Sequence, residues 1–190
     1  VLKNKPYFRP RSISNPMNSK TLTLAGIVFF FAFFSFPLLA QTPEEKLKAL
    51  GLELPEVSQP MANYVKWKQV GNLLFLAGNG PDVFGKVGDD LTPEQGYEAA
   101  RLTGLEIIAV LKAATGDLSR IKQFVKVLGM VNSAPDFTGH PRVINGFSDL
   151  MVEVFGEKGK HARSAVGVAA LPNNIAVEIE VIVELEENEE

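Results

Sequence analysis

Ala176-Val177-Glu178-Ile179-Glu180-Val181-Ile182-Val183-Glu184-Leu185-Glu186-Glu187 alternates apolar and acidic side chains almost without a break. A period of two is the period of a β-strand, so Val177, Ile179, Val181, Val183 and Leu185 fall on one face. Glu178, Glu180, Glu184 and Glu186 fall on the other. A strand of this kind buries one side and leaves parts of the other wet. It therefore belongs to a sheet that is covered by helices on one face only. The tail Glu186-Glu187-Asn188-Glu189-Glu190 continues the acidic run and reads as a solvated end.

Working back from this strand, Leu171-Pro172-Asn173-Asn174 is a turn, and Arg163 to Leu171 is a strand of small and β-branched residues. A helix runs from about Pro141 to Phe155, after turn residues that begin at Asn132. Ile121 to Val131 is another strand. Leu91-Thr92-Pro93-Glu94 combines an N-cap with proline at the first helical position. From it Tyr97, Ala100, Gly104, Ile107, Leu111 and Ala114 recur at steps of three and four, widened by Leu105 and Ile108, until Gly116 stops the helix. Glu94, Glu98, Arg101 and Lys112 fall toward the other side. Gly104 inside this helix costs about 1 kcal/mol relative to alanine, which predicts close packing on the sheet there. Gly78–Asp90 is a long glycine-rich loop. Tyr64 to Leu76, split at Gly71-Asn72, is a hairpin. Thr42-Pro43-Glu44-Glu45 opens a short helix that ends at Gly51. The order β-β-α-β-α-β-β predicts an α+β fold, a two-layer sandwich with a mixed sheet and two helices on one face. The other face must be covered or polar, and exposed Val166 and Val168 would form an apolar patch on it.

Ahead of this region Leu24 to Phe34 is eleven residues without a polar side chain, followed by Phe36-Pro37-Leu38-Leu39-Ala40-Gln41. A basic start, a short apolar run and a small residue before a polar one describe a secretory signal peptide. The run is short for a membrane span, which needs about 20 residues. The expectation is residues 1–40 as extension and signal, with the natural start at Met17 and cleavage after Ala40. Residues 41–190 then form a single exported domain, periplasmic or extracellular, with no stable membrane anchor. Five of the 19 basic side chains lie in residues 1–40. The other 14, with all 22 acidic ones, lie in 41–190 and give that part a net charge of −8. Such a body is a poor partner for nucleic acid. The absence of cysteine excludes disulfides, thiolate metal sites and a cysteine nucleophile.

Several motifs fail. Gly80-Pro-Asp-Val-Phe-Gly85-Lys86 imitates a phosphate loop but continues into Val87-Gly88-Asp89-Asp90 instead of Ser or Thr and a helix. His140 and His161 are the only histidines, and their separation gives no metal-ligand spacing; His140 reads as a turn residue. No G-x-S-x-G occurs. Nothing in the chain calls for a metal or another cofactor.

One constellation remains. His161-Ala162-Arg163-Ser164-Ala165 enters one strand, and Leu171-Pro172 through Val177-Glu178-Ile179-Glu180 makes the turn and the next. Arg163 alone suits a surface ion pair, and Glu178 with Glu180 alone suit a solvated strand face. Taken together, these residues resemble the RidA/YjgF family, which ends in Pro-Ala-Arg-Ser, Leu-Pro and a Val/Ile-Glu-Ile-Glu strand. A second match stands 86 residues before Ser164, in Phe75-Leu76-Ala77-Gly78-Asn79-Gly80-Pro81, where Ala77 lies thirteen residues after Tyr64. The resemblance spans roughly residues 60–187.

The resemblance implies a chorismate-mutase-like fold, a homotrimer, and ligand pockets in clefts between subunits. It implies hydrolysis of reactive enamines and imines to 2-keto acids and ammonia, without a cofactor. Arg163 matches the arginine that clamps the substrate carboxylate, and Glu178 the residue that orients water or relays protons. Gly78, Tyr64 and the backbone N–H of Ala165 match ligand contacts, and Asn79 stands in the place of the usual Gln. Asn145 matches a helix asparagine at the pocket, across an insertion. Ala77 replaces Ser/Thr, Ala165 replaces Cys and His161 replaces Pro, which points to a divergent branch. A ligand-binding or chaperone-like trimer without turnover is the alternative. An endoribonuclease fits less well with the charge of −8.

Overall fold

The computed structural model describes residues 41–60 and 62–187, which fall within one compact unit. The signal and cleavage expectations concern residues outside this range. The chain runs α1 (Pro43–Ala49), β1 (Trp67–Val70), β2 (Leu73–Leu76), α2 (Pro93–Thr115), β3 (Ile121–Asn132), α3 (His140–Phe155), β4 (Ala162–Val168) and β5 (Val177–Leu185). The five strands form one mixed sheet in the order β1-β2-β5-β3-β4. Every neighbouring pair is antiparallel except β3 and β4, which the α3 crossover makes parallel.

Local chemistry sets the helix ends. Thr42 and Thr92 each accept a bond from the backbone N–H three residues on, and Glu45 and Gln95 return it, so α1 and α2 both open with capping boxes after which proline follows. Gly116 closes α2 at φ 74°, where L residues with a side chain are strained. Gly71 turns the hairpin at φ 59°. The hairpin strands begin at Trp67, β4 ends at Val168, and α3 starts one residue early, at His140. His140 is thus a helix residue and not a turn residue.

Val177, Ile179, Val181, Val183 and Leu185 are all buried under α2 and α3, as the alternation predicts. Phe124, Phe147, Ile107, Leu111 and Leu150 fill the layer between. Gly104 corrects the expectation placed on it. A Cβ there would stand 2.8 Å from Leu150 Cδ2, so the close packing is against α3 and not the sheet. Gly146 on α3 completes the contact, since a Cβ there would collide with the carbonyl oxygen of Tyr97. The same proximity lets Tyr97 donate to Asp149 (2.9 Å) and Arg101 pair with Glu153 (2.7 Å) at the rim. Tyr97 and Arg101, which periodicity assigns to opposite sides of α2, both reach α3.

The other face of the sheet has no helix over it among the described residues. Phe75 is 39% exposed and Val166 42%, with Leu128, Met130 and Ile182 partly buried beside them.

Candidate functional site

The register decides where each candidate residue points. On β4, Arg163 aligns with Val127 and Ala165 with Gly129, both on the helix-covered face. β4 is an edge strand, so the Arg163 side chain reaches α3 at the rim. Its Nη1 donates to Asn145 Oδ1 (2.9 Å) and to Ser148 Oγ (2.8 Å), and Nη2 makes a long contact with the Pro141 carbonyl (3.5 Å). Three of the five guanidinium N–H groups are thereby spent on orientation. The Nε–H and an Nη2–H remain as a side-on fork of the shape that a carboxylate accepts.

His161 supports this arrangement from the start of β4. Its Nδ1 lies 2.7 Å from the Gly159 carbonyl and its Nε2 3.0 Å from Ser148 Oγ. A carbonyl only accepts, so Nδ1 carries the proton and Nε2 offers its lone pair. Ser148 then donates to His161 and accepts from Arg163. Burial lowers the His161 pKa, the bond to Gly159 opposes that, and the Arg163 charge adds to the lowering, so the ring is neutral near pH 7. The sequence reading missed Ser148 and treated His161 only as a departure. The signal was available. Positions 161 and 163 share one side of a strand, and 145 and 148 share one side of a helix.

The remaining residues assemble elsewhere. Glu178 pairs with Met130 on the uncovered face, opposite to Val177 and Ile179. Gly78 lies against it, and a Cβ there would overlap Glu178 Oε1. The loop is fixed alongside β5 by two bonds, Asn79 N–H to the Ile179 carbonyl (3.1 Å) and the reverse (2.9 Å). Burial, helped by the neighbouring charge of Glu180, raises the Glu178 pKa. Asn79 is buried and donates its side-chain amide to the Ala77 carbonyl (2.8 Å), which ties down the loop. Tyr64 precedes β1 and is 46% exposed. The structure thus brings Arg163 together with Asn145 and, along one strand face, Ala165. It brings Glu178 together with Gly78. Within one chain Arg163 and Glu178 lie on opposite faces of the sheet.

Residues 44–185 match the model of the YjgF/chorismate-mutase-like family, whose description carries a candidate endoribonuclease label. The chain belongs to that family. Protein TCP17 of Trypanosoma cruzi is 44% identical over 146 residues, 73% of this chain and 91% of that protein. A 2-iminobutanoate/2-iminopropanoate deaminase of Dermatophagoides farinae is 34% identical over 137 residues, 71% and 95% of the two chains. Among solved structures, a candidate endoribonuclease from Shewanella oneidensis superposes with a TM-score of 0.75 at 40% identity, covering 76% of this chain and all of the other. The fold expected from the sequence, α+β with a mixed five-stranded sheet, is the fold of these relatives.

Proposed function

We propose that the protein is a hydrolytic deaminase of small enamines and imines that carry a carboxylate, with its site completed between copies in a homotrimer. The observation that carries this reading is the fixed Arg163 fork, anchored by Asn145, Ser148 and the Pro141 carbonyl with its Nε–H and one Nη2–H left over. The Dermatophagoides farinae relative, named a 2-iminobutanoate/2-iminopropanoate deaminase, supports the substrate class. The opposite placement of Arg163 and Glu178 supports a shared site, since a second copy must bring the missing half. The exposed Phe75 and Val166 on the uncovered sheet face support association.

The chemistry follows from the two halves. Arg163 holds the carboxylate of the 2-imino acid, and an enamine substrate first moves a proton from its nitrogen to its carbon, through solvent, to become the imine. Glu178 accepts a proton from water as the oxygen bonds to the imine carbon. It returns that proton to the nitrogen to give the carbinolamine, then passes the hydroxyl proton on to the amino group as the C–N bond breaks, which releases ammonia and leaves the 2-keto acid. One water is consumed and no electrons are exchanged. Ala77 offers no hydroxyl beside the imine, which favours the second reading, a ligand-binding trimer without turnover.

The test is a coupled assay in which an amino-acid oxidase generates imines from several amino acids and semicarbazide traps them. The protein should suppress semicarbazone formation with at least one amino acid, and Arg163→Ala should not. Hydrogen bonds to a charged group contribute roughly 1.5–3 kcal/mol each, so Arg163→Ala should also weaken 2-keto acid binding about 10- to 100-fold. Binding lost in Arg163→Ala without any turnover in the wild type would favour the second reading. Unchanged binding in Arg163→Ala would remove both.

A further inference from the structure

A second cavity lies at the ends of β3 and β4 where their parallel pair meets the start of α3. Its volume is about 480 Å³, and Lys86, Ser133, Phe137, His140 and Val168 are among the residues lining it. That volume is within the ordinary range for a small-molecule site. Lys86 is held rigidly. Its Nζ donates to Asn132 Oδ1 (2.7 Å) and to the Ala169 carbonyl (2.8 Å). Asn132 is fully buried and is itself fixed, since its Nδ2 donates to Asn174 Oδ1 (2.9 Å) and the Ile175 carbonyl (3.2 Å). Both Lys86 acceptors are neutral. Among the described residues no carboxylate stands within ion-pair distance of Nζ, so a preorganised positive charge faces the cavity with one N–H unspent.

Beside it, Ser133 Oγ lies 3.1 Å from His140 Nε2, and Ser133 is only 8% exposed. Gly167 makes room for this pair, because a Cβ there would stand 2.8 Å from Ser133 Oγ and collide with His140 Nε2. The His140 ring packs edge-on to Phe137, centroids 5.4 Å apart, and with Ala134, Pro135 and Val168 this gives the cavity an apolar wall.

We infer that this cavity is a second binding site, for a short-chain carboxylate, distinct from Arg163 and independent of the deaminase reading. The carboxylate oxygens take the free Lys86 N–H and the Ser133–His140 pair, and the alkyl chain lies on Phe137 and Val168. One ammonium matches one negative charge, so a monoanion fits better than a dianion. The net charge of −8 over residues 41–190 gives no general attraction for anions, so any binding must come from these local donors.

The two histidines of the chain report the two sites separately. Propanoate is titrated into the protein while the imidazole resonances are followed by NMR, with His140→Asn for assignment. The expected result is a saturable shift of the His140 signals that persists in Arg163→Ala. Lys86→Met should weaken it at least about tenfold, while Lys86→Arg retains it. Ala134→Leu, which fills the apolar wall without touching the ammonium, should weaken it likewise. Undisturbed His161 signals verify that the Lys86 and Ala134 variants are folded, thermal unfolding does so for Arg163→Ala, and n-butylamine should leave His140 unmoved. The inference is overturned if His140 does not respond while His161 saturates, or if folded Lys86→Met binds propanoate as the wild type does.

Discussion

Gly78→Ala separates the site from the fold. A Cβ at position 78 would overlap Glu178 Oε1 and stand 2.8 Å from Cδ and 3.0 Å from Cγ. The obstacle is the far end of a flexible side chain on a partly open sheet face, so the carboxylate swings away and the backbone stays. Leaving a preferred rotamer costs about 0.5–1.5 kcal/mol. Alanine in place of glycine returns roughly 0.4–1 kcal/mol by restricting the unfolded chain. The two nearly cancel, so the melting temperature should move by no more than a few degrees. Turnover should not survive. Displacing a catalytic group by about 1 Å costs on the order of 100-fold, and Glu178 has farther to go. Thermal unfolding with the coupled imine assay reads both quantities on one sample. Wild-type turnover in a folded Gly78→Ala protein would refute the role of Glu178. A collapse in stability would refute the packing argument instead.

Gly146→Ala makes the opposite case, because its Cβ meets the Tyr97 carbonyl, which cannot rotate aside. It should cost about 1–3 kcal/mol or more in denaturant unfolding. Glu106, on α2, has its pKa pushed up from 4.5 to about 7 by burial and the Asp82 charge, against Lys66. A raised carboxyl penalises the folded state once ionised, so stability should fall as pH rises from about 4.5 to 7 and stay lower above. Glu106→Gln should therefore stabilise above pH 7, by on the order of 1–2 kcal/mol after solvent screening, and do nothing below pH 4.5. Equal effects at both ends would contradict the assignment. We propose cleavage after Ala40, so N-terminal sequencing of protein recovered from the periplasm or medium should begin at Gln41; a start before position 30 would contradict it.

Periodicity in the sequence carried most of the fold, because burial on one side of a strand leaves a period of two that no other element imitates. Val177 to Leu185 and the Thr-Pro helix starts were legible for that reason. Gly104 was misread because a missing side chain reports close approach without naming what approaches. Tyr97 and Arg101 were misread because helical spacing shows which residues share a side, and not that a second helix lies beside them. As candidate site residues, Arg163 and Glu178 stood out only as part of a joint pattern. Ser148 and His161 were overlooked because their link is three-dimensional, a strand entry meeting a helix face thirteen residues away. Lys86 was weighed only as a failed phosphate loop, and its tie to buried Asn132 spans 46 residues of sequence.

The most direct test of the shared site is complementation between two inactive variants. Arg163→Ala lacks the clamp and Glu178→Gln lacks the base, and each alone should fail to hydrolyse imines. Mixed in equal amounts, unfolded and refolded together, they should form assemblies in which an intact Arg163 from one copy meets an intact Glu178 from another. Random mixing across a head-to-tail interface gives about one such site in four, so roughly a quarter of the wild-type rate should return. A mixture that remains as inactive as its components, although light scattering shows that mixed assemblies have formed, would contradict a site built from two copies.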